Sequence, residues 1–489
     1  MAYRYGNRRQ AMLLPGSIEE YVSGDSVVRV YDEFVDCLDL SALGIIEDSH
    51  QVGNPEYDPR TMLKLLVYGY SYGIKSSRKL ERAVHDNFSF VWLMGGLKPD
   101  HKTIAEFRRK HKRSLSQVLK QCAQLCLELG LIDGNVLFVD GSKVRANGGR
   151  SRTHGGKWYS ETLSSLDSRI GSLLREIEAV DASEQGMSSL VRLDKELASA
   201  ERRRAAVARA LSALKERGVN LVNETDPECS LMHSVQGSHA SYNVQSVVDD
   251  KHGLIVHADA VNAATDVNQF ASQVAQAQEV LGSRCEVACA DAGYSDAEDL
   301  AKVDGQGTEV VVPSQRQASE DKGRVPKPFS KSEFRYDQEG DCYICPRNRR
   351  LEYVGTDQNN GKRHYKIVDV NWCLQCGNFG VCTKAKGGRK IVRLANEPLK
   401  EKFEKLYASA HGREIYARRK QRCEHPFGFI KRNLGVQSFL LRGLEGAQAE
   451  LSLWSTCFNL ARMVSLLGLK GLLAQLRQIS SGRMAIAAN

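Results

Sequence analysis

The spacing of apolar positions changes character along the chain. Up to about residue 130 the period is helical. Asp58-Pro59 puts a capping residue before a proline at the first helical position. Met62, Leu63, Leu65, Leu66 and Tyr68 follow, and Gly73 closes the run. Ser77 opens a second helix with Leu80, Ala83 and Val84 on one face. Thr103 and Glu106 have the form of a capping box. The helix they begin is expected to reach Gly130, with Arg108, Arg109, Lys110, His111, Lys112 and Arg113 as a basic early face. A solvated face and a phosphate-contacting face both fit that pattern.

From Val136 the pattern becomes strand-like. Val136 to Val139 is a short apolar run ending in Asp140, as in a buried strand. Gly148-Gly149 and Gly155-Gly156, with basic residues between them, predict a loop. Residues 160–217 return to helical spacing. Leu163, Leu166, Ile170, Leu173 and Ile177 step like a heptad seam, and Leu190, Leu193, Leu197, Leu211 and Leu214 form a second stretch. With Gly186 near the break, this predicts a helical hairpin inserted between strands. Strands resume over Tyr242–Gln245 and Val247-Val248, turn through Asp249–Gly253, and return over Leu254–Val256. Asp266 is placed to cap a helix from Val267 to about Val280. Val287–Ala290 is a further strand, ending in Asp291. Ser295 and Glu298 open a short helix, and Glu309–Val312 is a strand stopped by Pro313. Residues 314–333 read as a polar linker and 334–390 hold paired cysteines. Helices run from about Pro398 to 477, before a frayed tail.

Composition narrows the class without naming it. The 489 residues are 42% hydrophobic and 26% charged, ordinary for a globular chain of two to four domains. No run of about 18 apolar residues provides a membrane span. MAYRYGNRRQ at the start lacks an apolar signal core, so a cytoplasmic location is expected. Lys plus Arg (68) exceed Asp plus Glu (59), and the net charge of +9 permits nucleic-acid binding without establishing it. Thirteen cysteines in such a chain do not suggest a disulfide framework.

With the insertions set aside, the element order is three strands, then helix, strand, helix, strand, helix. That is the order of an α/β, ribonuclease H-like core, in which the first and fourth strands lie side by side and a late helix crosses near their ends. Asp140 ends the first strand, Asp291 the fourth, and Glu424 lies on the late helix. Three carboxylates can then meet despite 151 and 133 residues of separation. Converging carboxylates raise each other's pKa unless a cation neutralises them. Mg²⁺ prefers such oxygen ligands, and two ions can serve an in-line phosphoryl displacement.

The sequence resembles a DDE transposase of a bacterial insertion sequence, in the branch marked by a Tyr-Arg-Glu-Lys signature. FVDGSKVRA resembles the first-Asp motif and ACADAGYSDAEDL the second. YARRKQRCEHPFGFIKRNLGVQSFLLRGLEGAQAE resembles the Glu block, and PEYDPRTMLKLLVYGYSYGIKSSRKLERA the family's N-terminal domain. The likeness spans nearly the whole chain. It implies a catalytic triad of Asp140, Asp291 and Glu424, with Tyr416, Arg419 and Lys431 as the accompanying phosphate-contacting signature. The family spacing has three residues between Arg and Glu. Here four separate Arg419 from Glu424, and Lys420 stands at the usual distance, so both remain candidates for the signature position. His425 reads as a packing or surface histidine. Asn243 and Gln245 read as solvent-facing strand residues.

Cys342-Tyr343-Ile344-Cys345 and Cys373-Leu374-Gln375-Cys376 are two CxxC units with 27 residues between them, and Cys382 follows. Paired thiolates on tight turns suit tetrahedral Zn²⁺, so four of these five could form a structural zinc knuckle, with Cys342 or Cys382 spare. Similar transposases carry a cysteine-rich insertion at this point. The remaining cysteines, Cys37, Cys122, Cys126, Cys229, Cys285, Cys289, Cys423 and Cys457, read as small core hydrophobes.

The resemblance implies a helical DNA-binding domain over 1–130 and a catalytic core over 131–313, interrupted by the hairpin at about 160–217. A cysteine-rich insertion over 334–390 and a helical return to the core over 398–477 complete it. It implies binding of terminal inverted repeats and target DNA, cleavage and strand transfer with two Mg²⁺ or Mn²⁺ ions, a homodimer in the DNA complex, and a nucleoid-associated cytoplasmic location. A nuclease of the same fold without strand transfer, and an inactive DNA-binding regulator derived from a transposase, are the alternatives.

Overall fold

A computed structural model describes residues 16–45, 56–182, 187–234, 237–325, 327–357 and 361–487. The N-terminal decapeptide and Gly186 lie outside the described residues. The N-terminal part is built from α1 (Val28–Asp36), α2 (Pro59–Ser71), α3 (Ser77–Asp86), α4 (His101–Lys110) and α5 (Val118–Glu128), with shorter turns between. The Asp58 carboxylate accepts the Arg60 and Thr61 amides and starts α2 at Pro59, as the sequence predicts.

The long helix expected from Thr103 to Gly130 is divided at His111 and Gln117. Asp100, not Thr103, is the cap of α4, taking the Thr103 amide at 2.7 Å. At the second break the Leu119 amide donates to Ser452 Oγ at 2.9 Å, so a tertiary contact satisfies a group the division frees. Arg108 is buried and donates to the Lys75 carbonyl at 2.7 Å. It therefore does not belong to a solvated basic face, whereas Arg109, Lys110 and Arg113 are exposed.

The central sheet contains β1 (Val136–Arg145), β2 (Ser230–Ser234), β3 (Gly237–Asp249), β4 (Ile255–Val261), β5 (Val287–Cys289) and β6 (Glu309–Val311). β3 pairs antiparallel with β1, with β2 along its first half and with β4 along its second. On the other side of β1, β5 is parallel to it, and β6 is parallel to β5. The order β4–β3–β1–β5–β6, with those directions, fits a ribonuclease H-like core. β1 does not end at Asp140. It continues to Arg145 because β3 keeps pairing with it, Arg145 opposite Ser241.

Two long helices, α6 (Gly156–Ala182) and α7 (Met187–Arg217), leave and rejoin the chain between β1 and β2. Tyr159, Val207, Ala210 and Val222 pack at their base. α8 (Phe270–Leu281) begins three residues later than expected, because Asp266 is engaged elsewhere and does not cap it. α9 (Ala297–Asp304) is capped by Asp296 instead of Ser295. The segment expected to be a linker contains the helix Gln315–Asp321, started by a Ser314–Gln317 capping box. Its sequence, QRQASED, is polar all round and offers no hydrophobic period to read.

Residues 335–393 form an antiparallel meander of β7 (Arg335–Asp337), β8 (Cys342–Ile344), β9 (Arg350–Thr356), β10 (Arg363–Ile367) and β11 (Lys390–Arg393), over a core of Phe334, Tyr343, Leu351, Tyr365, Ile367 and Ile391. α10 (Glu397–Ala408), α11 (Ala410–Arg432), α12 (Leu444–Leu467) and α13 (Leu469–Ala487) complete the chain. The tail expected to fray is the end of α13. α12 is buried on almost every side and packs against α2, α5 and β4. Among the described residues no single helix is long and apolar enough to cross a membrane.

Candidate active site

Strand register sets the site. β1 and β5 are parallel neighbours, with Phe138 level with Cys289. Asp140 and Asp291 each lie two residues further on, so they project at the same height from chains about 5 Å apart. Asp140 sits within β1. Asp291 lies just beyond β5, at the cap of a 3₁₀ turn, where its Oδ1 accepts the Gly293 amide at 2.8 Å.

α11 crosses this point and brings Arg419 to it. One nitrogen, Nη2, lies 3.2 Å from Asp140 Oδ1 and 3.4 Å from Asp291 Oδ2. The Arg419 side chain is 12% exposed, and its Nε is buried without a partner among the described residues. The Tyr416 ring stands 5.8 Å from the guanidinium carbon, on the preceding turn. Of the two candidates for the signature position, Arg419 faces the carboxylates and Lys420 is exposed. Lys431 reaches Ser142 Oγ, on the Asp140 face of β1. Arg418 and Arg422 both pair with Asp250 and tie α11 to the β3–β4 turn.

Glu424 is placed differently. It is exposed, and the described residues give it no ion pair. It precedes Lys431 by seven residues, so the two share one flank of α11. From that flank the Lys431 side chain reaches Ser142, whereas Glu424 is exposed. Among the described residues no three Asp, Glu, His or Cys groups stand close enough to hold a metal ion. Two members of the expected triad therefore meet here, bridged by a cation, and the third, Glu424, is not gathered with them. The donor chemistry, two carboxylates converging on one positive charge, fits a hard divalent cation in kind.

The opposite face of β1 holds groups that sequence reasoning missed. Asn243 and Gln245, expected to face solvent, are 2% and 0% exposed. Their amide nitrogens both donate to Asp266 Oδ1 at 2.8 Å, and Tyr294 donates its hydroxyl to Gln245 Oε1. Gly141 lies beneath this cluster. A Cβ there would stand 2.6 Å from Asp266 Oδ1 and 2.8 Å from Gln245 Nε2, so only glycine fits. The readable signal is two amides at alternate positions of one strand, Asn243 and Gln245, which puts both on one face. His425 packs edge-on against Phe458, 5.2 Å between ring centroids, in keeping with a packing role.

Burial pushes the Asp140 carboxyl up to about 6; Arg419 opposes the shift and Asp291 adds to it. Arg419 is held above the usual guanidinium range, because Asp140 and Asp291 outweigh the opposing effect of its burial. The Lys431 ammonium is pushed down by burial, against the pull of Asp140. A raised carboxyl means that the folded chain binds the proton more tightly than the unfolded chain. The Asp140 contribution to stability is therefore lost as pH rises through about 4 to 6 and stays lost above. Asp140→Asn should be more stable than wild type near about pH 8, by up to about 3 kcal/mol, with the gap closing toward about pH 5. Urea unfolding at the two pH values measures this; a gap independent of pH would contradict it.

In the meander domain, Cys345, Cys373, Cys376 and Cys382 line one cavity of about 460 Å³. The Arg349 amide donates to Cys345 Sγ at 3.4 Å. Burial raises the Cys382 thiol; Arg389 opposes this and the other three cysteines add to it. Cys342 stands apart, buried in β8 with its Sγ 3.9 Å from Asp337 Oδ2. The eight scattered cysteines are all buried, as expected.

Family comparison places known domains on this architecture. A transposase domain (DUF772) matches residues 16–110, and a transposase DDE domain matches residues 344–464. The second match includes the cysteine cavity and Glu424, whereas Asp140 and Asp291 lie between the two. No curated protein and no solved structure matches the chain.

Proposed function

We propose that this member of the DDE transposases of insertion sequences binds the ends of its element and cuts and joins DNA at the Asp140–Asp291 pair, with Glu424 as the third carboxylate. The observation that carries the reading is the register that levels Asp140 with Asp291 beneath α11. Mg²⁺ or Mn²⁺, two ions when bound, would activate the attacking oxygen and stabilise the leaving one. Asp140, Asp291 and Glu424 are the residues that would hold them.

The chain's own groups do the rest. Arg419 and Lys431 supply positive charge on either side of the carboxylates and bind the phosphodiester backbone. Tyr416 packs beside the Arg419 guanidinium and limits its swing. The Asp266–Gln245–Tyr294 cluster sets the turn after Asp291. Water hydrolyses the phosphodiester at the element end; the released 3′-hydroxyl then attacks a target phosphodiester, forming the joining bond as the target's own 3′-oxygen leaves, so no covalent protein–DNA bond is needed. The helices of residues 16–110 are the favoured readers of the inverted repeats. Two ends brought together call for a homodimer in the complex.

Product analysis tests the reading. Labelled duplex carrying the sequences that flank the gene, with supercoiled target, should give joined DNA. Nicks alone would favour a nuclease of the same fold, and binding without cleavage an inactive regulator.

We also propose that Cys345, Cys373, Cys376 and Cys382, which line one cavity without standing at ligand distance from one another, draw together on one structural Zn²⁺, with Cys342 the spare. Purified protein should contain about one zinc per chain. Cys373→Ser should lose the metal and Cys342→Ser should keep it, by elemental analysis. Equal zinc in both variants would overturn the assignment.

A further inference from the structure

We propose that Arg419 is the internal counter-cation of the Asp140–Asp291 pair, and that a divalent ion binds there only as Arg419 is drawn away by a DNA phosphate. This rests on the proposed function and adds the regulation of its site.

The geometry carries the inference. A single guanidinium nitrogen lies within 3.4 Å of an oxygen from each carboxylate, at the point where an ion shared by the two would have to sit. A metal and the guanidinium cannot both occupy it, since their charges repel and their donors coincide. The side chain is nearly buried, and the described residues offer its Nε no partner, so the two carboxylates are its polar partners, with the Tyr416 ring beside it. Leaving them unpaired would strand the nearly buried Asp140 charge beside the half-exposed one of Asp291. Departure of Arg419 therefore has to be matched by arrival of another cation and by a new anion for the guanidinium. A phosphodiester supplies that anion, with geometry suited to a planar fork. Arg418 and Arg422, on the same helix, are already paired with Asp250 and do not compete for it.

Such an exchange makes metal and DNA binding mutually reinforcing, since each relieves a cost the other meets. It also keeps the DNA-free protein in a form with little affinity for the ions that catalysis needs.

The test is Mn²⁺ binding to the full chain, read from loss of the free-ion electron paramagnetic resonance signal, with and without a short duplex. Without DNA, Arg419→Gln should bind Mn²⁺ roughly tenfold more tightly than wild type. Adding duplex should tighten binding to wild type by a similar factor and leave Arg419→Gln nearly unchanged. Arg419→Lys keeps the charge without the fork and should fall between them, which keeps the test valid if the glutamine variant folds poorly. Arg419→Gln binding no tighter than wild type, or an equal DNA effect on both, would overturn the proposal. Adding Asp140→Asn and Asp291→Asn to each protein separates this failure from a deeper one. If those changes leave Mn²⁺ binding intact, the carboxylate pair is not the metal site and the proposed function itself falls.

Discussion

Asp291→Ala protein should fold and bind duplex DNA yet cleave and join it at least about a thousandfold more slowly, a loss of about 4 kcal/mol of transition-state stabilisation. Asp291 does little for the fold. Its side chain is 44% exposed, and its hydrogen bond to the Gly293 amide closes one turn beyond β5. Its position is unusual in another way: it stands level with Asp140 across a parallel pair and shares one nitrogen of Arg419 with it. Truncation leaves Asp140 and Arg419 as a simple ion pair and removes half of the charge that would attract a cation. Asp140→Asn should be as severe, because Asp140 is the more buried member. Glu424→Gln should be equally slow while leaving stability unaltered within about 0.5 kcal/mol, as expected for an exposed residue. Rates of cleavage with matched binding curves separate these effects. A Glu424→Gln protein as fast as wild type would remove Glu424 from the machinery.

The largest effect on stability should come from a residue outside the site. Glu450 lies in the second turn of α12 and is 0% exposed. One carboxylate oxygen accepts the Tyr70 hydroxyl at 2.9 Å; the other accepts the Leu440 and Leu441 amides at 2.6 and 3.2 Å. Tyr70 also lies 3.4 Å from Arg108 Nη1, so the carboxylate joins the N-terminal helices to the chain segment that follows α11. That segment in turn pairs with the end of β1, the Phe439 amide donating to the Arg145 carbonyl at 2.9 Å. Glu450→Ala would leave two backbone amides and a hydroxyl buried and unpaired, together with a cavity in the largest core. At about 1–3 kcal/mol for each lost partner, partly offset by no longer burying a carboxylate, the expected cost is about 3–5 kcal/mol. Glu450→Gln keeps acceptor oxygen in place and should cost less than half of that. Urea unfolding near neutral pH measures both. A cost below about 1 kcal/mol for alanine would mean that water or rearranged neighbours replace the carboxylate.

Much of this architecture was legible because it rests on local patterns. The apolar run before Asp140, the strand stretch from Tyr242, and the cap at Asp58 each predict an element that the structure contains. What the sequence concealed depends on tertiary partners. The division of the helix at Gln117 is matched by Ser452, more than three hundred residues away, which receives the freed Leu119 amide. β1 outruns its apolar stretch because β3 pairs with its polar end. Asp266 looks like a helix cap by position, but two amides from β3 compete for its carboxylate and prevail. The polar helix at Gln315–Asp321 has no periodic face to detect.

The candidate site divides in the same way. Asp140 and Asp291 were findable from strand ends and family motifs, and register brings them together. Spacing does not separate Arg419 from Lys420, because both lie within one helical turn; helix rotation against β1 turns Arg419, not Lys420, to the carboxylates. Glu424 shares a flank with Lys431 but is exposed, so its meeting with the two aspartates is a property proposed for the complex with metal and DNA. Among the cysteines, motif spacing left five candidates for four places. The cavity gathers Cys345, Cys373, Cys376 and Cys382 and leaves Cys342 in a strand.

The central claim is that the paired aspartates work with a divalent ion to cut and join DNA. Its most direct test incubates end-labelled duplex bearing the flanking sequences with wild-type and Asp291→Ala protein, in Mg²⁺ and in chelator. The account predicts cleaved and joined DNA from wild type in Mg²⁺ alone, and from neither protein in chelator nor from the variant in either condition. Cleavage that persists in chelator, or in Asp291→Ala at the wild-type rate, would contradict it.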